Sequence, residues 1–354
     1  MSYKGKRALV TGGLGFIGSN LAIRLAAEGA RVTVVDSSIP GCGANPFNLA
    51  PVAAEIKVVA RDIAEAERLK DHIASADVIF NLAGEISHVH SMQFPERDMQ
   101  INAVAQMQFL DACKSCARGV RIVYAGTRQV FGAPRYLPVD EEHPIQPVDF
   151  NGIHKYAATA YHMLYTQSGD LDALVLRLTN VYGPRMALDV PCQGFLSTFF
   201  RRVLLGQDVE VFGTGSQLRD PIFVDDAVDA FLLAGAVVKP KSRLYNVGGP
   251  GALSLAEIAR MIVDTAGGDS KFLLTPFPPE RKAIDIGSYT TDSSRIRAEL
   301  GWKPRTSFRD GLALTLDYYR AQLRHYLDPD NPFPECRMPE HKGTVGRLTY
   351  TPVW

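Results

Sequence analysis

The residues whose types and spacing most clearly promise chemistry lie near the start of the chain. Thr11-Gly12-Gly13-Leu14-Gly15-Phe16-Ile17-Gly18 places four glycines within seven positions. Such spacing permits a tight turn, close backbone approach to a pyrophosphate, and close packing of the next helix on the preceding strand. The first N–H groups of that helix then meet the phosphates at the positive end of the helix dipole. Asp36 follows Gly18 by 18 residues. That is close to the interval at which a carboxylate reaches the adenosine ribose hydroxyls. Ser37 and Ser38 come next, where an arginine would favour a 2′-phosphate, so NAD is expected over NADP. A second candidate is the CxxC of Cys113 and Cys116. Redox or zinc chemistry could use it, but no second pair completes a zinc site, and two small apolar residues near a helix end is the simpler reading. No metal is expected.

Positioning these groups requires a particular order of elements. Short apolar runs at Arg7–Thr11, Arg31–Asp36, 56–59, 77–81, 121–125 and 171–178 read as strands. Helical patterns lie between them at 16–28, 64–73, 96–116 and 151–167. Apolar, β-branched strands alternating with helices predict an α/β fold, a doubly wound parallel Rossmann sheet covered on both faces. Ligands then gather at the carboxyl ends of the strands. Residues 1–179 form this first lobe. Residues 180–325, richer in Gly and Pro, are expected to form a smaller α/β substrate-binding lobe. Within them 216–247, including the helical stretch 224–236, is expected to return to the first lobe, and 326–354 to be an extended tail.

Composition narrows the class. The chain has 354 residues, 46% hydrophobic and 21% charged, with 38 basic against 38 acidic side chains. Zero net charge argues against a nucleic-acid or membrane-surface partner. No apolar run approaches the roughly 18 residues of a membrane span. The opening residues lead straight into a strand, with no signal-peptide pattern. Five scattered cysteines, at 42, 113, 116, 192 and 336, suggest a reducing, cytoplasmic setting rather than a disulfide framework.

Further motifs extend the glycine turn. Gly12, Gly15 and Gly18 also satisfy GxxGxxG, and Arg61-Asp62-Ile63, Asn81-Leu82-Ala83-Gly84, Asn102, Ala125-Gly126-Thr127, Asn180-Val181-Tyr182-Gly183-Pro184, Arg219-Asp220 and Leu300-Gly301-Trp302 follow in order. Together, over roughly residues 6 to 320, they resemble the extended short-chain dehydrogenase/reductases of the NAD-dependent epimerase/dehydratase family, closest in flavour to UDP-glucose 4-epimerase-like proteins. The resemblance implies a cofactor site of Gly12, Gly15, Phe16, Ile17, Gly18, Asp36, Asp62, Ile63, Leu82, Ala83, Gly84, Asn102 and Lys155. It implies a nucleotide-linked sugar, most simply a UDP-sugar, held by Glu85, Ser91, Thr127, Asn180, Val211, Arg219 and Arg281. Arginine suits a diphosphate because its planar fork is bidentate to phosphate. Family members also pair their 96–116 and 151–167 helices into a homodimer, and Ile101, Phe109, Leu110, Tyr156, Met163 and Leu164 supply apolar residues on more than one face.

The resemblance also implies a catalytic Ser/Thr, Tyr and Lys. Thr127 and Lys155 match, but the Tyr position, one helical turn before Lys155, is Asn151. An amide exchanges hydrogen bonds but is no base near neutral pH. Another group would then move the proton: Glu85, His88, His90 or His154, with histidine having the suitable unperturbed pKa of about 6.5. Otherwise water held by Asn151 and Thr127 would serve, or the site would not turn over. Arg128-Gln129 stand where the family's 4,6-dehydratases carry Asp-Glu, which disfavours dehydration. Epimerisation by transient oxidation of a sugar hydroxyl, at C4, is the function expected. The alternatives are an oxidoreductase or dehydratase releasing a keto-sugar, or a silent binder of NAD and nucleotide sugar.

Overall fold

In the computed structural model, which describes residues 3–39, 41–117, 119–190, 194–282 and 284–327, six apolar runs become strands where the sequence pattern expects them. These are β1 (Arg7–Thr11), β2 (Arg31–Asp36), β3 (Lys57–Ala60), β4 (Val78–Asn81), β5 (Arg121–Thr127) and β6 (Asp172–Leu178). All pair in parallel, and Leu244–Val247 adds a seventh strand beside β6. The order is Leu244–Val247, β6, β5, β4, β1, β2, β3. Strand order therefore reverses between β1 and β4, where a doubly wound sheet opens a crevice for ligands. The central strands are buried on both faces, as their continuous apolar runs require.

Two expected helices are built differently. The 96–116 stretch is an α-turn at Pro95–Met99, a wider π-turn at Gln100–Val104, and an α-helix at Ala105–Cys116. Periodicity alone does not reveal the widened turn, which carries the buried Asn102. The 64–73 stretch begins as tight turns at Ile63–Leu69 and becomes α-helical only at Lys70–Ser75. Asp62 caps its start by accepting a hydrogen bond from the Ala64 N–H.

The helix Val224–Ala236 packs on Phe16–Ala27 and against β4, β5 and β6. Outside the main sheet, Val209–Phe212 pairs in parallel with Phe272–Thr275, and Leu218–Arg219 pairs antiparallel with Leu253–Ser254. The helices Phe195–Leu204 and Leu255–Ala266 pack on these small sheets, and Phe308–Gln322 packs on both helices and on Ile222–Phe223. The tail expected at 326–354 lies almost wholly outside the described residues. Among the described residues no helix is long and apolar enough to cross a membrane. Cys113 and Cys116 are free thiols, with Cys113 buried in the core.

Candidate active site

The glycine turn joins β1 to the helix Phe16–Ala27. Gly12 has φ +66°, and a Cβ there would come within 2.8 Å of Leu82 and Ala83 backbone atoms. A Cβ at Gly18 would meet the Gly12 carbonyl oxygen at 2.2 Å. The helix opens on Gly15 with no side-chain cap, so its first N–H groups are left for a phosphate. Both Asp36 oxygens accept backbone N–H groups, from Leu14 at 3.0 Å and Ser38 at 2.8 Å. Burial raises this carboxyl above its ordinary value, against those two bonds, and nearby Asp62 adds to the rise. The turn, the open helix end and the acid fit a dinucleotide.

A buried network fixes the strand ends beneath that ligand. Thr11 Oγ1 donates to Asn81 Oδ1 at 2.7 Å and accepts from the Leu82 and Ala83 N–H groups at 3.2 Å. Asn81 Nδ2 donates to Gln106, which donates to the Ala83 carbonyl at 2.9 Å. Asn102 clamps Glu85, two residues on, accepting its N–H at 3.1 Å and donating to its carbonyl at 3.0 Å.

One cleft runs from the glycine turn to the far end of β5. Its lining brings together the expected Gly12, Gly15, Phe16, Ile17, Gly18 and Asp36, then Asp62, Ile63, Leu82, Ala83 and Gly84, and finally His88, Thr127, Asn151, Lys155 and Asn180. Glu85, Ser91, Asn102, His154, Val211, Arg219 and Arg281 stand outside that lining. Glu85 is turned toward His90 and Arg97, at 3.5 and 3.6 Å. Ser91 donates to the His88 carbonyl at 2.7 Å. Val211 is buried in the core, and Arg281 sits on the short helix Pro279–Lys282. No sequence motif marks Ile39, Cys42, Met186, Phe195 or Leu196, which also line the cleft. They come from loops and a helix start that carry no motif.

The chemistry-bearing end combines β5 with the helix Phe150–Gln167. Thr127 closes β5 and accepts the Gln129 N–H at 3.2 Å, leaving its own proton to give. Lys155 is 5% exposed; its Nζ donates to the Ala125 carbonyl at 3.2 Å and lies 4.9 Å from the centre of the Tyr124 ring. Burial pushes its ammonium down to about 8, with Asp98 opposing. Asn151 is fully buried and spends its amide on the Glu85 carbonyl and Asp98 Oδ2, both at 2.8 Å. Its Oδ1 accepts nothing among the described residues.

Three candidate histidines have carboxylate partners, His90 having Glu85 at 3.5 Å. His154 Nδ1 pairs with buried Asp98 at 2.7 Å, away from the cleft. His88 lines the cleft, with Nδ1 on Asp149 and Nε2 facing the Gln129 amide nitrogen. Asp149 also caps the helix, its Oδ1 accepting the Gly152 N–H at 2.7 Å. Burial works to raise the Asp149 carboxyl, but the His88 hydrogen bond and charge prevail and hold it below its ordinary value.

A parallel sheet with this strand order, a glycine turn built for a dinucleotide, and a threonine and buried lysine beside it define an NAD-dependent enzyme on a Rossmann fold. The chain belongs to the NAD dependent epimerase/dehydratase family, whose model matches residues 8–248. It is 33% identical over 318 residues to a UDP-glucose 4-epimerase of Mycolicibacterium smegmatis, covering 89% of this chain and 98% of that one. Among solved structures it resembles the UDP-glucose 4-epimerase of Thermotoga maritima with UDP-glucose. The TM-score is 0.81 and the identity 27%, covering 90% of this chain and 99% of that one. The dTDP-glucose 4,6-dehydratase DesIV of Streptomyces venezuelae, solved with NAD bound, matches at TM-score 0.81 and 27% identity, covering 90% and 98%. The cofactor is NAD.

Proposed function

We propose that the enzyme is an epimerase acting at C4 of a nucleotide-linked sugar, most simply a UDP-sugar, with the His88–Asp149 pair moving the proton that a tyrosine moves elsewhere in the family. The observation carrying this reading is the position of His88: in the cleft with Thr127, Asn151 and Lys155, and fixed at Nδ1 by a buried carboxylate. With Nδ1–H on Asp149, Nε2 carries the lone pair. The Gln129 amide nitrogen faces that lone pair and turns aside when a sugar hydroxyl arrives.

When bound, NAD supplies the acceptor, then the donor, of the hydride at the sugar carbon. The chain's own groups handle the rest. His88 Nε2 takes the hydroxyl proton as the carbonyl forms and returns it when the opposite face is reduced. Asp149 stabilises the imidazolium in between. The Thr127 hydroxyl and the free Asn151 Oδ1 position the sugar oxygen, and the Lys155 ammonium holds the nicotinamide ribose and favours negative charge nearby. Arg219 and Asn180 are proposed to hold the diphosphate, with Val211 beside the nucleobase and Arg281 completing the proposed nucleotide shell.

Purified enzyme supplied with NAD should interconvert one pair of UDP-hexoses or UDP-uronates without net NADH formation. Replacing His88 with Ala should lower kcat by about 10²- to 10⁴-fold, the usual range for a positioned acid–base group. Unchanged kcat in that variant would remove His88 from the mechanism.

We also infer a homodimer formed through the paired helices. Phe109 and Leu110 are spent on the subunit's own core, but Met99, Met107, Ile153, Tyr156 and Leu164 leave 38–62% of their surface exposed on the same two helices. Apolar residues gathered in this way mark a surface to be covered.

A further inference from the structure

Arg128 follows Thr127 directly and lines the same cleft; Asp149 and Asp220 act on its charge from nearby, yet among the described residues neither forms an ion pair or hydrogen bond with it. It is 8% exposed, and its guanidinium stacks 5.0 Å from the centre of the Tyr289 ring. Nη1 is buried without a hydrogen-bond partner among the described residues. The nearby carboxylates are already engaged. Asp149 holds His88 and the Gly152 N–H. Asp220 accepts from Thr179 Oγ1 at 2.7 Å and the Thr291 N–H at 2.9 Å. A second buried guanidinium, Arg219, lies close enough for the two charges to repel. Its Nη1 is turned to the Leu218 and Gly287 carbonyls at 2.7 and 2.6 Å.

Two neighbouring buried cations with no directly ion-paired carboxylate among the described residues are costly to keep. A ligand anion would offset that cost, and a planar guanidinium fork is matched to a carboxylate. Arg219 is committed to the diphosphate under the reading above. Arg128 stands beside Thr127, at the reacting end of the cleft, so its anion belongs to the sugar.

We propose that Arg128 binds the carboxylate of a nucleotide-linked uronate and makes the enzyme selective for acidic over neutral sugars. This rests on the nucleotide-sugar reading of the cleft. A neutral hexose in the same place would leave the guanidinium unanswered and its desolvation uncompensated.

The test is calorimetric titration of the NAD-loaded enzyme with UDP-glucuronate, UDP-glucose and UDP, in the wild type, Arg128→Gln and Arg128→Lys. The wild type should bind UDP-glucuronate about tenfold or more tighter than UDP-glucose, as a charge-assisted hydrogen bond allows. Arg128→Gln should erase that ratio and leave UDP affinity within about twofold; Arg128→Lys should retain part of it. Equal wild-type affinity for the two sugars overturns the proposal, and that comparison needs no variant to fold. Equal losses for UDP, UDP-glucose and UDP-glucuronate in Arg128→Gln also overturn it, because the guanidinium would then be reading the diphosphate. UDP binding without a uronate preference sinks this proposal alone. Failure of all three to bind removes the nucleotide-sugar reading with it.

Discussion

Lys155 is kept where its charge is expensive. Burial lowers its ammonium to about 8, whereas an unfolded chain titrates near 10.4. Between those values the unfolded state binds the proton and the folded state does not. Stability therefore rises with pH through that window, and the full penalty is present below it. Lys155→Met should thus stabilise the NAD-free protein at pH 7 by on the order of 2–3 kcal/mol, read as a higher denaturation midpoint, while abolishing turnover. A lower midpoint would mean that the bond to the Ala125 carbonyl outweighs the burial of the charge. Asn151 shows the opposite economy. Its amide donates to Glu85 and Asp98, so Asn151→Ala should cost about 1–3 kcal/mol for the two buried hydrogen bonds lost, measured by denaturant unfolding. How far such residues could be read from sequence depended on their neighbours along the chain. The missing phenol was legible because Lys155 marks the register four residues on. The pairing of His88 with Asp149 was not, since 61 residues separate them. Among the candidate histidines, His154 was equally plausible by sequence and is turned instead to Asp98.

At the scale of elements, one side chain serves both the helix and the site. Asp149 caps Phe150–Gln167 and orients His88. Asparagine caps a helix about as well as aspartate, and alanine does not. Asp149→Asn should therefore leave thermal stability nearly unchanged and still lower kcat, having lost the charge that supports the imidazolium. Asp149→Ala should lower kcat and also lose about 1 kcal/mol or more of stability with the cap. If Asp149→Asn keeps full kcat, the carboxylate is only a cap. The glycine turn makes a similar case, because a Cβ at Gly18 would sit 2.2 Å from the Gly12 oxygen. Gly18→Ala should therefore reduce NAD affinity in a fluorescence titration. This turn was legible because strand, turn and helix are contiguous, and each apolar run names its own element. The π-turn at Gln100–Val104 was hidden, since one widened turn barely disturbs helical periodicity. Cleft residues such as Met186 and Phe195 were hidden because tertiary folding alone brings them to the cleft.

For the whole molecule, the parallel sheet and residues within 178–187 and 194–197 that follow it line one cleft, and the proposed dimer face follows from what remains exposed. Tyr156 and Leu164 stand 41% and 62% exposed on the helix that also carries Lys155. Light scattering at micromolar concentration should give twice the chain mass, and Leu164→Glu with Tyr156→Glu should give the single mass. A wild-type monomer would contradict the paired-helix interface. C4 epimerisation of a nucleotide-linked sugar is tested most directly by proton NMR of UDP-hexoses and UDP-uronates incubated with the NAD-loaded enzyme, with absorbance at the NADH band recorded alongside. It predicts that the H4 signal of one substrate gives way to that of its C4 epimer until both epimers stand at equilibrium, with no stoichiometric NADH. Spectra unchanged across the panel, or a keto-sugar released with equivalent NADH, would contradict it.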